Sequence, residues 1–508
     1  MERPQSDFLY NRMGPWPQPN PVLPFTEFPA VVNIPRKELM KYELNIGVRY
    51  YTQIFYYLPV ALWYGINHAG LAKVSDEEFV DMLCVRSFSK FLTKLKRDQI
   101  EKYLPGIDMS RLPEGREYYV NDLWLMSRLK PQEGCYTAAT VCLFARSDDH
   151  KYGFEFLANF CLPYGEPMEK GTVLYPEDND AWDLAKYHAL LGCANRLVLS
   201  THSFLHFPMD TVNAITKTAL PKDNLLQRLL LPHFEFSLEL DLGVLTSWES
   251  PIKNHWELPY TGLTGDEAGI AQLFVDAYMG MKDRHLTYPP YHFWLAPQVP
   301  DTEYGRFQIE YYDCIERFTK KVLSKLTDDD KWYIKKWADY ISSWLNTNPH
   351  MKEEDKQDIK KRFPTGDEIF EEYSDGFTVL EKVTAKIIWD VTVGHASDHY
   401  DYGQMDVHKV PFRLRVPAPQ GREVHHYSQK SLRTWVDAYK QRMCWKMFFI
   451  PTNVTLLQDM AYDFNGDPEL DAYVRDFKKD LHATEKGLKE KGIRDFIPLN
   501  QIARSIQY

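Results

Sequence analysis

Apolar and polar residues recur along most of this chain with the three-to-four-residue spacing of an α-helix. From about 37 to 104 the pattern is helical, and Ser75-Asp-Glu-Glu78 ahead of Phe79-Val80 and Met82-Leu83 reads as a capping box opening an amphipathic run. Between 105 and 180 the chain turns richer in Pro, Gly and Tyr. The short apolar bursts Ala138–Phe144 and Phe154–Leu162 predict a few strands among loops there. Helical spacing returns at Asp180 and holds to about Asp241, with segments Trp182–Leu199, Thr211–Leu220 and Asn224–Leu238. Further helices are predicted over Tyr304–Leu326, Asp330–Asn346, Thr378–Asp398, Lys430–Phe449 and Pro468–Gly492. Residues 1–36 are proline-rich and read as an extended, irregular segment. No repeat, low-complexity tract or clean linker interrupts the rest. The pattern therefore predicts a mainly α fold with a few short strands, in one large helical domain over 1–508.

Composition narrows the function classes. A hydrophobic content of 44% in 508 residues is globular, and a net charge of −11 argues against nucleic acid, which needs a basic surface. Seven scattered cysteines with no CxxC pair argue against a disulfide framework or a zinc knuckle. The opening MERPQSDFLYNR lacks the apolar run of a secretory signal, so the expected compartment is the cytoplasm, and the sequon Asn453-Val-Thr455 is read as chance. Tyr56–Ile66 is apolar and aromatic but too short to span a bilayer, which predicts no transmembrane segment and leaves peripheral contact with a membrane open.

The candidate chemistry sits in two histidine pairs, His202/His206 and His395/His399, each spaced four apart. On a helix that spacing puts both rings on one face, one turn apart. Either pair alone reads equally well as satisfied core histidines. Both lie in apolar surroundings, however, where unpartnered imidazoles are costly and a cation would satisfy all four. The chain closes on Tyr508, whose free α-carboxylate adds a fifth donor. Imidazole plus carboxylate without thiolate suits iron, manganese, cobalt or zinc, and five donors with one open place suit a six-coordinate redox metal better than tetrahedral zinc. Pro208, two residues past His206, predicts either a kinked or widened turn at the site or the end of the helix. Phe204, Phe207, Met209, Ile387, Ile388 and Trp389 fit a greasy tunnel, and core packing equally well. His233 is read as structural, and His188, His408, His425 and His426 as surface or hydrogen-bonded residues.

The order of these phrases resembles the catalytic domain of lipoxygenases. Trp182-Asp-Leu-Ala-Lys186 looks like the phrase that opens the first metal helix of that family, and Leu230–Asp241 resembles the segment following it. His395-Ala-Ser-Asp-His399 with Gly403-Gln404, the stretch Pro411–Pro419 and the closing Ile502–Tyr508 resemble later family segments, so the likeness runs from about 115 to 508. It implies a lipoxygenase-type catalytic domain whose metal-site core lies at about 180–508. It implies as ligands His202, His206, His395, His399 and Tyr508, and as cofactor iron, or manganese in the alternative. The HxxxH first pair and the apparent lack of an N-terminal β-sandwich domain are similar to fungal members. A second register remains open for the first pair, in which Thr201-His202 follows the ligands and the family positions fall near Gly192 and Leu197.

The implied reaction is hydrogen abstraction from a polyunsaturated fatty acid or other polyene, followed by addition of O2 to give a hydroperoxide. No catalytic side chain is expected beyond a metal-bound hydroxide, and the implied partners are a hydrophobic small molecule and O2. Arg504 stands where the family has Asn, two residues are inserted between His399 and Gly403 relative to the family pattern, and Tyr508 ends the chain in place of an aliphatic residue. These departures motivate an alternative: a repurposed enzyme of secondary metabolism that oxidises, rearranges or cyclises a non-fatty-acid polyene. A non-catalytic protein that keeps the fold is the third reading.

Overall fold

The computed structural model describes residues 9–11, 30–279, 294–345, 363–404, 407–422, 424, 426–493 and 495–507. It begins with a small antiparallel pair, β1 (Leu9–Asn11) and β2 (Ala30–Asn33), inside the segment predicted to be extended. A long helical run follows, made of α1 (Arg36–Ile46), a π-helical turn Gly47–Tyr51 and α2 (Thr52–Asn67). The capping box at Ser75/Glu78 is present as the sequence predicts.

The strand-forming region holds one antiparallel sheet, ordered β3 (Leu92–Leu95), β4 (Tyr118–Asp122), β5 (Ala138–Arg146), β6 (Phe154–Pro163) and β7 (Thr172–Leu174). The two apolar bursts become β5 and β6, paired from Ala138↔Pro163 to Arg146↔Phe154. β5 reads as a continuous apolar run because both its faces are covered. On one face Phe144 stacks on Phe156, which in turn meets Trp182 of α3 (Asp180–Asn195) with ring centroids 4.1 Å apart. On the other, Val120, Val141 and Phe160 meet Leu95, Ile100 and Leu104. β3 falls where the sequence predicts helix.

The helical body comprises α4 (His202–Ala219), α5 (Ser237–Thr246), α6 (Glu267–Met279), α7 (Glu303–Leu323), α8 (Asp328–Leu345), α9 (Val379–Trp389), α10 (His395–Gln404), α11 (Trp435–Phe448) and α12 (Pro468–Glu490). Its core gathers apolar residues of α4, α7, α8, α9 and α12, including Val212, Ile315, Trp337, Ile387 and Phe477. Thr378 with Glu381, and Thr434 with Asp437, cap α9 and α11 through reciprocal side-chain and backbone bonds. One predicted helix, Asn224–Leu238, is broken. It comprises a short helix Leu225–Leu230, a 3₁₀ turn Leu231–Phe234 and the first residues of α5, with Phe236 at φ +65° between them. Pro232 lacks the N–H an α-helix needs there, which explains the break.

Candidate metal centre

Two helices bring the histidine pairs together, and both are distorted in the same place. A π-helical segment, Arg196–Thr201, runs directly into His202 at the start of α4. A second, Asp390–Gly394, runs directly into His395 at the start of α10. Such wide turns carry one residue more than an α turn, so they rotate everything downstream relative to everything upstream, and they concentrate at functional sites. Pro208 lies inside α4 and does not end it, and the wide segment precedes His202 instead of surrounding the proline.

The four rings converge. Nε2 of His202 lies 3.1 Å from Nε2 of His399, and His202, His395 and His399 each offer a nitrogen within 4.8 Å of the other two. His206 stands slightly outside that tight group, with its ring centroid 4.4 Å from His202 and 5.1 Å from His395. Two imidazole nitrogens bound at right angles to one ion at 2.0–2.1 Å would themselves be about 3 Å apart. Nε2 of His206 is buried and has no hydrogen-bond partner among the described residues. A cation would supply the missing partner, and the donor set fits one.

The surroundings orient the rings and lower the pKa of three of them. Nδ1 of His206 lies 2.6 Å from Oδ1 of Asp241 on α5, which fixes the N–H on Nδ1 and leaves the Nε2 lone pair unprotonated. Asp398 sits between His395 and His399 on α10, with its Oδ2 3.8 Å from Nδ1 of His202 and its other oxygen paired with Lys90. Although burial opposes it, the neighbouring Lys90 and His202 hold the Asp398 carboxyl below its usual range. Burial, with repulsion from His206, lowers the His202 pKa to about 4. Burial also pulls His395 and His399 well below the usual imidazole value, and the positive charge of Arg49 adds to this. Neutral imidazoles are the ligating form.

The C-terminal segment reaches the same region. Ala503 bridges Leu456, Ser505 donates to the Glu235 carbonyl at 3.1 Å, and Nη1 of Arg49 donates to the Gln507 carbonyl at 2.5 Å. Ile506 and Gln507 are buried. Tyr508, the fifth expected donor, lies outside the described residues. Arg504 brings no loose charge, because it pairs with Glu235. His233 bridges the Arg504 carbonyl and the Tyr462 hydroxyl at 2.8 Å each, in keeping with its structural reading.

Beside the rings lies a cavity of about 710 Å³. His202, His206 and His399 contribute to its wall, together with Ile46, Tyr50 and Ile54 of the α1–α2 run and the apolar side chains of Phe207, Ile252 and Phe274. Of the residues offered for a tunnel, Phe207 lines this space. Met209, Ile387, Ile388 and Trp389 are packed in the helical core instead, and the side chain of Phe204 lies outside the described set. Arg49, Lys90 and Asp241 escape the sequence reading. Only a cation beside an otherwise uncharged helical run, and acids inside apolar helices, could have flagged them.

No protein-family profile and no curated protein matches the chain. Solved structures do. A LOX crystallised anaerobically with arachidonate aligns over 99% of this chain and 80% of its own, with a TM-score of 0.67 at 13% identity. The coral 8R-lipoxygenase aligns over 99% and 79%, with a TM-score of 0.67 at 14% identity. The manganese lipoxygenase of Gaeumannomyces graminis aligns over 99% and 96%, with a TM-score of 0.67 at 12% identity. The chain has the fold of the lipoxygenase catalytic domain.

Proposed function

We propose that this protein is a metal-dependent dioxygenase of the lipoxygenase type, acting on a polyunsaturated fatty acid or another polyene. The observation that carries the reading is the convergence of four imidazoles, three buried and that of His202 half-buried, beside an apolar cavity. His202, His206, His395 and His399 would hold the ion, with the α-carboxylate of Tyr508 as a fifth donor, and iron is the favoured ion with manganese the alternative. When bound, the ion supplies one-electron redox chemistry able to take hydrogen from a weak C–H bond and admit O2.

The protein's own groups do the rest. Asp241 holds His206 in the tautomer whose Nε2 is free to ligate. Lys90 keeps Asp398 ionised beside His202. Phe207, Ile252 and Phe274 exclude water and grip an apolar chain against the rings. Arg49 and Lys90 come from outside residues 180–508, which supports treating the whole chain as one catalytic unit.

The test is elemental analysis of purified protein, alongside His395→Ala and a one-residue extension after Tyr508. Near one iron or manganese per chain is expected in the parent and close to none in either variant; metal surviving both changes sinks the assignment. Oxygen uptake with conjugated-diene absorbance from linoleate then supports a fatty-acid dioxygenase. Metal-loaded protein inert to linoleate would favour the repurposed enzyme of a non-fatty-acid polyene.

A further inference from the structure

The run from α1 to α2 leaves an apolar face uncovered. Its polar side chains Arg49 and Gln53 point inward and are buried, and the Gln53 amide has no hydrogen-bond partner among the described residues. Part of its apolar surface faces inward through Tyr42, Ala61 and Tyr64, but a second apolar stripe points out. Leu44, Val48, Tyr51, Phe55, Trp63 and Ile66 are exposed at helical spacing, with Leu44 at 69%, Phe55 at 82% and Ile66 at 65%. From Tyr50 to Ala72 no Asp, Glu, Lys or Arg occurs. A helix in water buries its apolar stripe and wets its polar one. A contiguous exposed apolar face of this size marks contact with something other than water.

What borders the face identifies that contact. Tyr51, Tyr56 and Trp63 are the amphipathic rings favoured where a hydrocarbon layer meets water. Along one flank α11 sets Arg442 5.2 Å from the Tyr64 ring centroid and Lys446 5.3 Å from that of Tyr57. Both are half-buried and also lie over the Trp445 ring, at 4.1 and 4.4 Å, and no acid pairs with either among the described residues, so this flank carries unmatched positive charge. The inner side of the same run walls the cavity through Ile46, Tyr50 and Ile54. No described helix is long and apolar enough to cross a membrane. An apolar, aromatic face with a cationic rim and no spanning length is the pattern of a helix lying in the plane of a bilayer surface.

We propose that the outer face of residues 44–66 is a membrane-docking surface. Its apolar side chains enter the headgroup–acyl boundary, Arg442 and Lys446 meet anionic headgroups, and the cavity behind it receives an apolar chain from the lipid. The last clause rests on the proposed function; the docking does not.

The experiment is flotation of the full-length protein with vesicles of phosphatidylcholine alone and of phosphatidylcholine with one-fifth phosphatidylserine. Sizing in solution and metal content are read in parallel. Binding is expected to the anionic vesicles and more weakly to the neutral ones. Phe55→Glu with Trp63→Glu should lower it by roughly tenfold or more, since it places two charges in the buried stripe. Arg442→Gln with Lys446→Gln should remove the anionic preference. All variants should keep the parent's metal content, which separates this test from that of the metal centre. Absence of vesicle binding by the parent, or unchanged binding by the Phe55/Trp63 variant, overturns the proposal. So does a dimer in solution that the Phe55/Trp63 variant dissociates while vesicles leave it intact, since the face would then cover a second copy.

Discussion

Replacing Asp241 by Asn would show whether His206 is held for an ion. The 2.6 Å contact between Asp241 Oδ1 and His206 Nδ1 is buried on both sides. A hydrogen bond to a charged partner contributes about 1.5–3 kcal/mol. Asn can still accept from Nδ1–H, so the tautomer survives while the charge that raises the basicity of Nε2 is lost. Nearby Asp210 is buried as well, and burial together with Asp241 pushes its carboxyl pKa well up. Losing a residue that orients a ligand in this way typically weakens metal affinity by about 10- to 100-fold, or about 1.4–2.7 kcal/mol. The assay is titration of chelator-stripped protein with Mn2+ or Fe2+ against a competing metal dye. At a metal concentration that saturates the parent, the variant should also lose up to about 2.7 kcal/mol of metal-dependent thermal stabilisation. A dissociation constant within twofold of the parent, with the fold intact, would refute the reasoning.

Other consequences are as direct. Arg49→Gln removes a charged donor from the Gln507 carbonyl, so amides of 502–507 should exchange faster and the protein should lose about 1.5–3 kcal/mol, read by hydrogen exchange and denaturant melts. His188 and His233 are buried, with pKa values lowered to about 4 and about 3 from 6.5. The unfolded chain therefore holds more protons below pH 6.5, and stability falls as pH drops. Together they should cost about 2 kcal/mol between pH 6 and 5, and His188→Gln should make the acid limb of a pH–stability curve measurably shallower. Gly65→Ala would place a Cβ 2.6 Å from both the Trp435 carbonyl oxygen and the Tyr439 Cβ, so α2 and α11 must part. A loss of about 1–3 kcal/mol is expected from calorimetry, and an unchanged melting temperature would show that the two helices are not so closely packed.

The histidine pairs were legible because i, i+4 spacing is a local property, and so were β5 and β6, whose faces are both buried. The long helices were legible from their periodicity and caps. Three kinds of feature were not. The π turns before His202 and His395 change backbone hydrogen bonding without changing residue type, so no spacing rule reveals them. Arg49 and Lys90 reach the site from 153 and 112 residues upstream of His202, and Asp241 closes the Leu230–Asp241 phrase without any spacing that ties it to His206; only tertiary packing assembles them. The break at Leu231–Phe236 was announced by Pro232, but apolar periodicity continuing across it suggested one helix. The outward apolar face of α2 was not legible either, since the composition of Tyr56–Ile66 does not say which of its side chains, such as Tyr56, Val60, Trp63 and Ile66, stay exposed.

The wide turns have a consequence for how the chain tolerates change. Each successive residue of a regular helix advances the azimuth by about 100°. Upstream of Arg196 and Asp390 the helices are clocked to fit one set of neighbours, and downstream to aim imidazoles at a common point. The surplus residue in each segment reconciles the two settings. Deleting one residue from either, anywhere along its length, would leave both halves helical yet swing a whole histidine pair about a quarter turn out of aim. Point substitution there is a question of volume, whereas loss of a single codon is a question of phase.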